Sequence, residues 1–309
     1  MSKLRKALER AKEAREGNSV LQRPIEKQEL RIPPKKITTP VEDKKRSNKL
    51  TITYSKTRVE NVDREILRKN KIFSAFKENQ TTDQVDGLRT QLLAKLDEIN
   101  GNSILVTSAH PGEGKTFTSI NLGVSIAQQL DRSVLIVDMD LRNPWRNHFD
   151  FAMDFWGLKP EKGLADFLLG DAEIEDVILN PGIEKLTIIP AGKSLPNSAE
   201  LLSSQRMAQF VEDVKKRYGS NRICIFDTPA LLPYTDALVI SHMIDGILLV
   251  VEAERTSPDE LKKAFKLLNG KPLLGTVFNK SKGENFEPDM TIKKTIGTML
   301  KQFVDNFRI

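Results

Sequence analysis

Residues 104–140 constrain the fold of this 309-residue chain more than any other stretch. A short apolar run, Ile104–Val106, leads into a glycine-rich turn, Gly112-Glu113-Gly114-Lys115-Thr116. A helix-like segment follows, then a second apolar run that ends in Asp138-Met139-Asp140. The order is strand, loop, helix, strand. Successive backbone N–H groups in such a turn, backed by a helix N-terminus, hold a dense anion without needing side-chain charge. Gly112 and Gly114 allow the close backbone approach, Lys115 adds a mobile positive charge, and the Thr116 hydroxyl can ligate Mg²⁺. A chance Gly-Glu-Gly-Lys in a surface turn would lack the flanking strand and helix. The spacing G-x-x-x-x-G-K-[ST] is met except at its first glycine, which is Ala109 here.

The overall charge of +6 is unevenly spread. Residues 1–80 carry 22 Lys/Arg against 11 Asp/Glu, and the rest of the chain is acidic. Such a basic front suits anionic lipid, nucleic acid or an acidic partner surface; a solvated arm is the plainer alternative. The one cysteine, Cys224, lies in an apolar run, so no disulfide framework is expected. No stretch approaches the ~20 apolar residues that span a bilayer. A cytoplasmic protein is expected, recruited to the inner face of the membrane only peripherally or through a partner.

Organisation follows composition. A basic, partly disordered arm is expected over 1–80: a helix at 2–16, a proline-rich linker at 17–48 and, at 49–58, a short strand or a recognition segment that pairs with an edge. A nucleotide-binding domain is expected over 81–285, and a terminal amphipathic helix within 286–309, at 291–307. Inside the domain, strands are predicted at 103–107, 133–138, 185–190, 222–227, 246–252 and 273–279. Helices are predicted at 82–99, 115–130, 163–170, 173–179, 199–218, 236–243 and 258–268. The alternation predicts an α/β fold, a mostly parallel sheet with helices on both faces. Ligands of such sheets lie beyond the carboxyl ends of the strands, where the loop, Asp138, Asp140, Asp227 and Asn279 all fall. Asp138 and Asp140 alternate along one strand, so both carboxylates can share a face. Asp227 closes another apolar strand and suits the Mg²⁺ shell, with a helix N-cap as the alternative.

Three segments, LVTSAHPGEGKT, VLIVDMDLRNP and IFDTPALL, resemble the nucleotide motifs of bacterial tyrosine kinases. These are the autokinases associated with polysaccharide co-polymerases and exosortase loci, within the MinD/ParA-like phosphate-loop ATPases. GLADFLLG, HMIDGILLVVEAERT and GTVFNK are similar to further segments of that family. The resemblance implies ATP and Mg²⁺ as cofactors. It implies a nucleotide site of Gly112, Glu113, Gly114, Lys115, Thr116, Phe117 and Asn279. It implies metal ligation by Thr116, Asp138, Asp140 and Asp227. Lys115, Asp138 and Asp140 would be catalytic, with Asp138 the candidate base toward a tyrosine hydroxyl.

Three departures shape the expectation. His110 stands where MinD/ParA proteins carry a bridging lysine, which favours the kinases. In the segment resembling the kinases' oligomerisation helix, Asp83 replaces a glutamate, Asp86 replaces an arginine and only Arg89 remains. The tyrosines are Tyr54, Tyr218 and Tyr234, with none in the last 75 residues, where the family's acceptor cluster lies. The expected activity is ATP-dependent protein-tyrosine phosphorylation tied to exopolysaccharide or capsule export. The expected partner is a membrane chain-length regulator (polysaccharide co-polymerase), with a homo-oligomer a further option and no specific nucleic acid. The alternative is a non-kinase ATP switch assembling with the same membrane machine.

Overall fold

The computed structural model describes residues 57–76, 80–142, 151–217 and 221–281. Its strands are β1 (Arg58–Val59), β2 (Ser103–Ser108), β3 (Ser133–Asp138), β4 (Leu179–Asn180), β5 (Leu186–Ile189), β6 (Arg222–Asp227), β7 (Gly246–Glu252) and β8 (Leu273–Asn279). They form one sheet in the order β1-β4-β5-β3-β6-β2-β7-β8. Every neighbouring pair is parallel except β4 and β5. The expected parallel sheet is therefore present, with the loop-bearing β2 near its middle.

Strands β2, β3 and β6 are buried along their whole length, as near-continuous apolar runs require when both faces are covered. Ile104, Val106, Val134 and Ile136 point to one face; Leu105, Leu135 and Val137 point to the other. The first face is covered by α1 (Arg64–Lys69), α2 (Gln80–Glu98) and α3 (Lys115–Ala127). The second is covered by α4 (Leu164–Leu169), α5 (Ile174–Val177), α6 (Ser198–Leu202), α7 (Gln205–Lys216), α8 (Asp236–Ile240) and α9 (Pro258–Leu267).

Helix starts follow their caps. The single helix expected over 199–218 is two, because Ser204 leaves helical geometry (ψ 155°) to accept a hydrogen bond from the Met207 N–H. Below that cap, α7 buries Met207, Phe210, Val211 and Val214, one helical stripe. Helix α9 opens with a reciprocal cap: the Ser257 hydroxyl accepts from the Glu260 N–H, and the Glu260 carboxylate accepts from the Ser257 N–H at 2.9 Å.

Residues 57–76, grouped by composition with the basic arm, rest on the sheet. Strand β1 pairs with β4, Leu67 is buried and Ile72 is fully buried. Composition misses this because a thin apolar stripe suffices to seat a short helix whose other faces are charged. The helices expected at 2–16 and 291–307 and the linker at 17–48 lie outside the described residues, as do Tyr54 and Tyr218. Among the described residues, no helix is long and apolar enough to cross a membrane.

Candidate functional site

The glycine-rich loop leaves β2 and enters α3 at Lys115. Gly112 and Gly114 both sit in the left-handed region (φ 84° and 95°), where a side chain would be strained. A Cβ on Gly114 would lie 1.9 Å from the Asn279 amide nitrogen. Ala109 needs no such freedom, since it is not among the residues with positive φ, and it is fully buried. This is why alanine serves at the position where the common motif has glycine.

Several groups grip the loop from outside. Asn279 Nδ2 donates to the Glu113 carbonyl at 2.9 Å, and Lys280 Nζ donates to the Gly112 carbonyl at 2.7 Å. The His110 N–H donates to Glu113 Oε2 at 2.9 Å, and the His110 ring bonds Glu260 of α9 at 3.0 Å. His110 is thus turned onto its own chain's α9. Phe117, expected in the nucleotide set, packs its ring edge-on against Phe73 at 6.2 Å.

The acidic side of the site comes from two adjacent strands. Asp138 ends β3 and Asp227 ends β6, and the two are register partners. The Thr116 hydroxyl donates to Asp227 Oδ2 at 2.6 Å, and Ser119 Oγ donates to Oδ1 at 3.1 Å. Burial pushes the Asp227 carboxyl up to about 6, with Lys115, Thr116 and Ser119 pulling the other way. Asp138 is held well above the usual carboxylate range, by burial first and then by the charges of Asp227 and Asp140. The Asp140 N–H donates to Asp138 Oδ1 at 3.0 Å, which fixes the turn after β3. Strands β2 and β6 are cross-tied here: Thr107 Oγ1 donates to the Pro229 carbonyl at 2.9 Å, and Thr228 Oγ1 to the Val106 carbonyl at 3.0 Å.

Lys115, Thr116, Asp138, Asp140 and Asp227 therefore share one end of the sheet. Their oxygens are hard donors, and two buried, mutually repelling carboxylates favour a cation between them. Mg²⁺ takes one or two carboxylates and fills its shell with water and phosphate oxygens, so this set fits it. Among the described residues no group of three or more His, Cys, Asp or Glu forms a self-sufficient metal cage.

Sequence reasoning passed over Arg142, two residues beyond Asp140. Its guanidinium bonds Asp236 at 2.6 Å and lies over the Tyr234 ring, 5.2 Å from the centroid. The Ser198 hydroxyl completes the Asp236 carboxylate at 2.7 Å. The i, i+2 rhythm of Asp138, Asp140 and Arg142 was the available signal. On α2, the remaining arginine of the expected oligomerisation segment is turned inward. Arg89 bonds Asp86 at 2.7 Å and Ser125 Oγ at 2.9 Å, both in its own chain.

A parallel sheet with a glycine-rich loop and paired aspartates at its strand ends defines a phosphate-loop domain, and residues 101–269 match the AAA domain family. The chain is 31% identical over 218 residues to the tyrosine-protein kinase YwqD of Bacillus subtilis, covering 70% of this chain and 88% of that one. It is 32% identical to a cps-region protein of Klebsiella pneumoniae over 63% of this chain, but spans only 26% of that longer relative. The kinase domain of the Escherichia coli tyrosine kinase ETK superposes with a TM-score of 0.61 at 28% identity, covering 71% of this chain and 84% of that one. The cell-division protein MinD of Pyrococcus horikoshii, solved with Mg-ADP, shares the fold at a TM-score of 0.50 and 24% identity, over 63% of this chain and 77% of that one. This chain belongs to the bacterial tyrosine-protein kinase family.

Proposed function

We propose that the chain is an ATP-dependent protein-tyrosine kinase that acts with the machinery of exopolysaccharide or capsule export. The carrying observation is the register pairing of Asp138 with Asp227 beside the Lys115–Thr116 loop. Membership of the kinase family supports the choice of a tyrosine acceptor. The loop N–H groups and Lys115 bind the triphosphate, with Gly112, Gly114, Phe117 and Asn279 shaping the rest of the nucleotide site. Thr116, Asp227, Asp138 and Asp140 are the groups that would hold Mg²⁺. When bound, the ion supplies charge neutralisation at the phosphates and orients them for in-line transfer.

Asp138 is the proposed base. A tyrosine hydroxyl has a pKa of ~10, so it surrenders its proton late, as charge develops on the transferring group. A carboxyl made more basic by burial and by two neighbouring carboxylates is better matched to that proton than an exposed one. Lys115, a positive charge close to both Asp138 and Asp227, keeps the cluster from being purely repulsive.

The alternative, a non-kinase ATP switch, is favoured by one observation: the last tyrosine of the sequence, Tyr234, is packed beneath Arg142. The two readings separate in one experiment. The purified chain is incubated with labelled ATP and Mg²⁺, with and without the cytoplasmic part of a membrane chain-length regulator. The kinase reading expects phosphotyrosine on the partner that disappears in Asp138→Asn, and a direct ATP titration of that chain separates loss of the base from weakened Mg²⁺-ATP binding. ATP hydrolysis with no phosphotyrosine in either arm establishes the switch instead.

A further inference from the structure

Glu113 is an odd residue for a loop that holds an anion. Its side chain is buried, with 1% of the residue exposed, so it cannot face a ligand. Its carboxyl has two partners. One oxygen accepts the His110 N–H at 2.9 Å, three residues back in the loop. The other accepts the hydroxyl of Thr256, itself buried in the turn that leads into α9. Thr256 in turn is fixed by its own N–H, which donates to the Glu252 carbonyl at 3.1 Å. One turn further along, Glu260 reaches the His110 ring at 3.0 Å. The start of α9 therefore meets the loop twice, at Glu113 and at His110.

The consequence is geometric. The His110 N–H is spent inside the loop, which folds the backbone back on itself between residues 110 and 113. The residues after Glu113 open α3, whose N-terminal N–H groups are the anion-binding end of the loop. On the opposite flank the Glu113 carbonyl is held by Asn279. We infer that Thr256 and Glu113 form a positioning pair that holds the phosphate loop in its nucleotide-binding shape from outside the nucleotide site. The inference rests on the nucleotide-binding reading above and deepens it, because it assigns Glu113 to the loop's scaffold instead of to ligand contact. A buried carboxyl that loses one of its two partners has no water to replace it, so the loop must shift.

The test is ATP affinity, read with a fluorescent ATP analogue and Mg²⁺ and no phosphoacceptor. It is therefore unaffected if phosphotyrosine never forms. Thr256→Val keeps the shape and removes the hydroxyl; its Kd is expected to rise about tenfold, whereas Thr256→Ser stays within about twofold of the parent chain. A Thr256→Val chain that binds as tightly as the parent overturns the inference. So does a Thr256→Ser chain as weak as Thr256→Val, since that would make the methyl packing, not the hydrogen bond, the cause. Should Thr256→Val fail to fold, the pair Glu113→Gln and Glu113→Ala replaces it. The glutamine keeps an oxygen for the His110 N–H and a polar partner for Thr256, so it should bind well and the alanine poorly. Equal loss in both overturns the inference, because charge and not geometry would then be what matters.

Discussion

Asp227 is the residue on which opposing demands meet. It must be buried to sit beside Thr116 and Ser119, and burial raises its pKa from 3.8 to about 6. A carboxyl whose folded value is raised stabilises the folded chain below its unfolded value, and that contribution is lost as pH rises through the folded one. Unliganded protein should therefore lose this share of stability between pH 3.8 and about 6. Binding of Mg²⁺ and ATP runs the other way, since the metal needs the ionised form. The affinity should weaken by roughly tenfold per pH unit below the folded value. Urea melts and ATP titrations across that window, on the parent chain and Asp227→Asn, check both signs. The asparagine chain should slope less than the parent in both measurements, the remainder coming from the buried Asp138, and it should melt later than the parent at neutral pH. Gly114 makes a second residue-level case. An alanine there would combine a φ of 95° with a Cβ placed 1.9 Å from the Asn279 amide. Gly114→Ala should lose ATP binding almost entirely, and adding Asn279→Ala should not restore it, because the φ strain remains and the loop also loses the Asn279 hydrogen bond to the Glu113 carbonyl. The motif made Gly114 legible in the sequence. Its dependence on Asn279 was not, because the two lie far apart in sequence and meet only through the β2–β7 and β7–β8 pairings.

At the scale of elements, the strands read clearly and the helix ends did not. Strand β3 was expected at 133–138 and spans Ser133–Asp138; β6 was expected at 222–227 and spans Arg222–Asp227. Buried parallel strands announce themselves as apolar runs, whereas β1 and β4, of two residues each, are made by pairing and carry no pattern of their own. Helix ends depend on caps such as Ser204 that act through one hydrogen bond. Docking of α4 depends on a similarly local device. Gly163 precedes that helix, and a Cβ there would meet the Gly192 nitrogen at 2.3 Å and the Pro190 carbonyl oxygen at 2.4 Å. Those are backbone atoms just beyond β5, where the Pro190 and Ala191 carbonyls already accept from the Leu164 and Ala165 N–H groups. Gly163→Ala should cost about 1–3 kcal/mol in chemical unfolding, because neither segment can give way without breaking those bonds. Gly87 is the control. It is exposed on α2 with nothing within 4 Å of an added Cβ, so Gly87→Ala should stabilise the chain, by about 0.5–1 kcal/mol.

For the whole molecule, the sheet order does what the linear motifs cannot. Residues 112–116, 138–140, 227 and 279 lie on four separate stretches of sequence, and strand pairing β3-β6-β2-β7-β8 brings their ends to one edge of the sheet. That edge could be anticipated, since apolar runs ending in Asp, Asp and Asn imply strands that end together. What could not be anticipated is how the loop is tied down, to the acidic side through Thr116 and Asp227 and to the turn before α9 through Glu113 and Thr256. A ligand at this edge touches strands from both halves of the domain, so its binding energy should appear as stability of the entire fold. Mass action sets the size: at a hundredfold excess over Kd the gain is about 2.7 kcal/mol. Mg²⁺ with ATP should therefore raise the melting temperature by several degrees. ATP with a chelator should raise it much less, because the triphosphate then meets Asp138 and Asp227 with only Lys115 between them. Lys115→Ala should show no shift in either condition; without ligand it should melt somewhat earlier than the parent at neutral pH, because the buried Asp138 and Asp227 carboxyls lose the positive charge beside them. Thermal unfolding followed by scanning fluorimetry distinguishes these outcomes. An equal shift with and without the metal would remove Mg²⁺ from the site and leave the paired carboxylates without a cation to explain them.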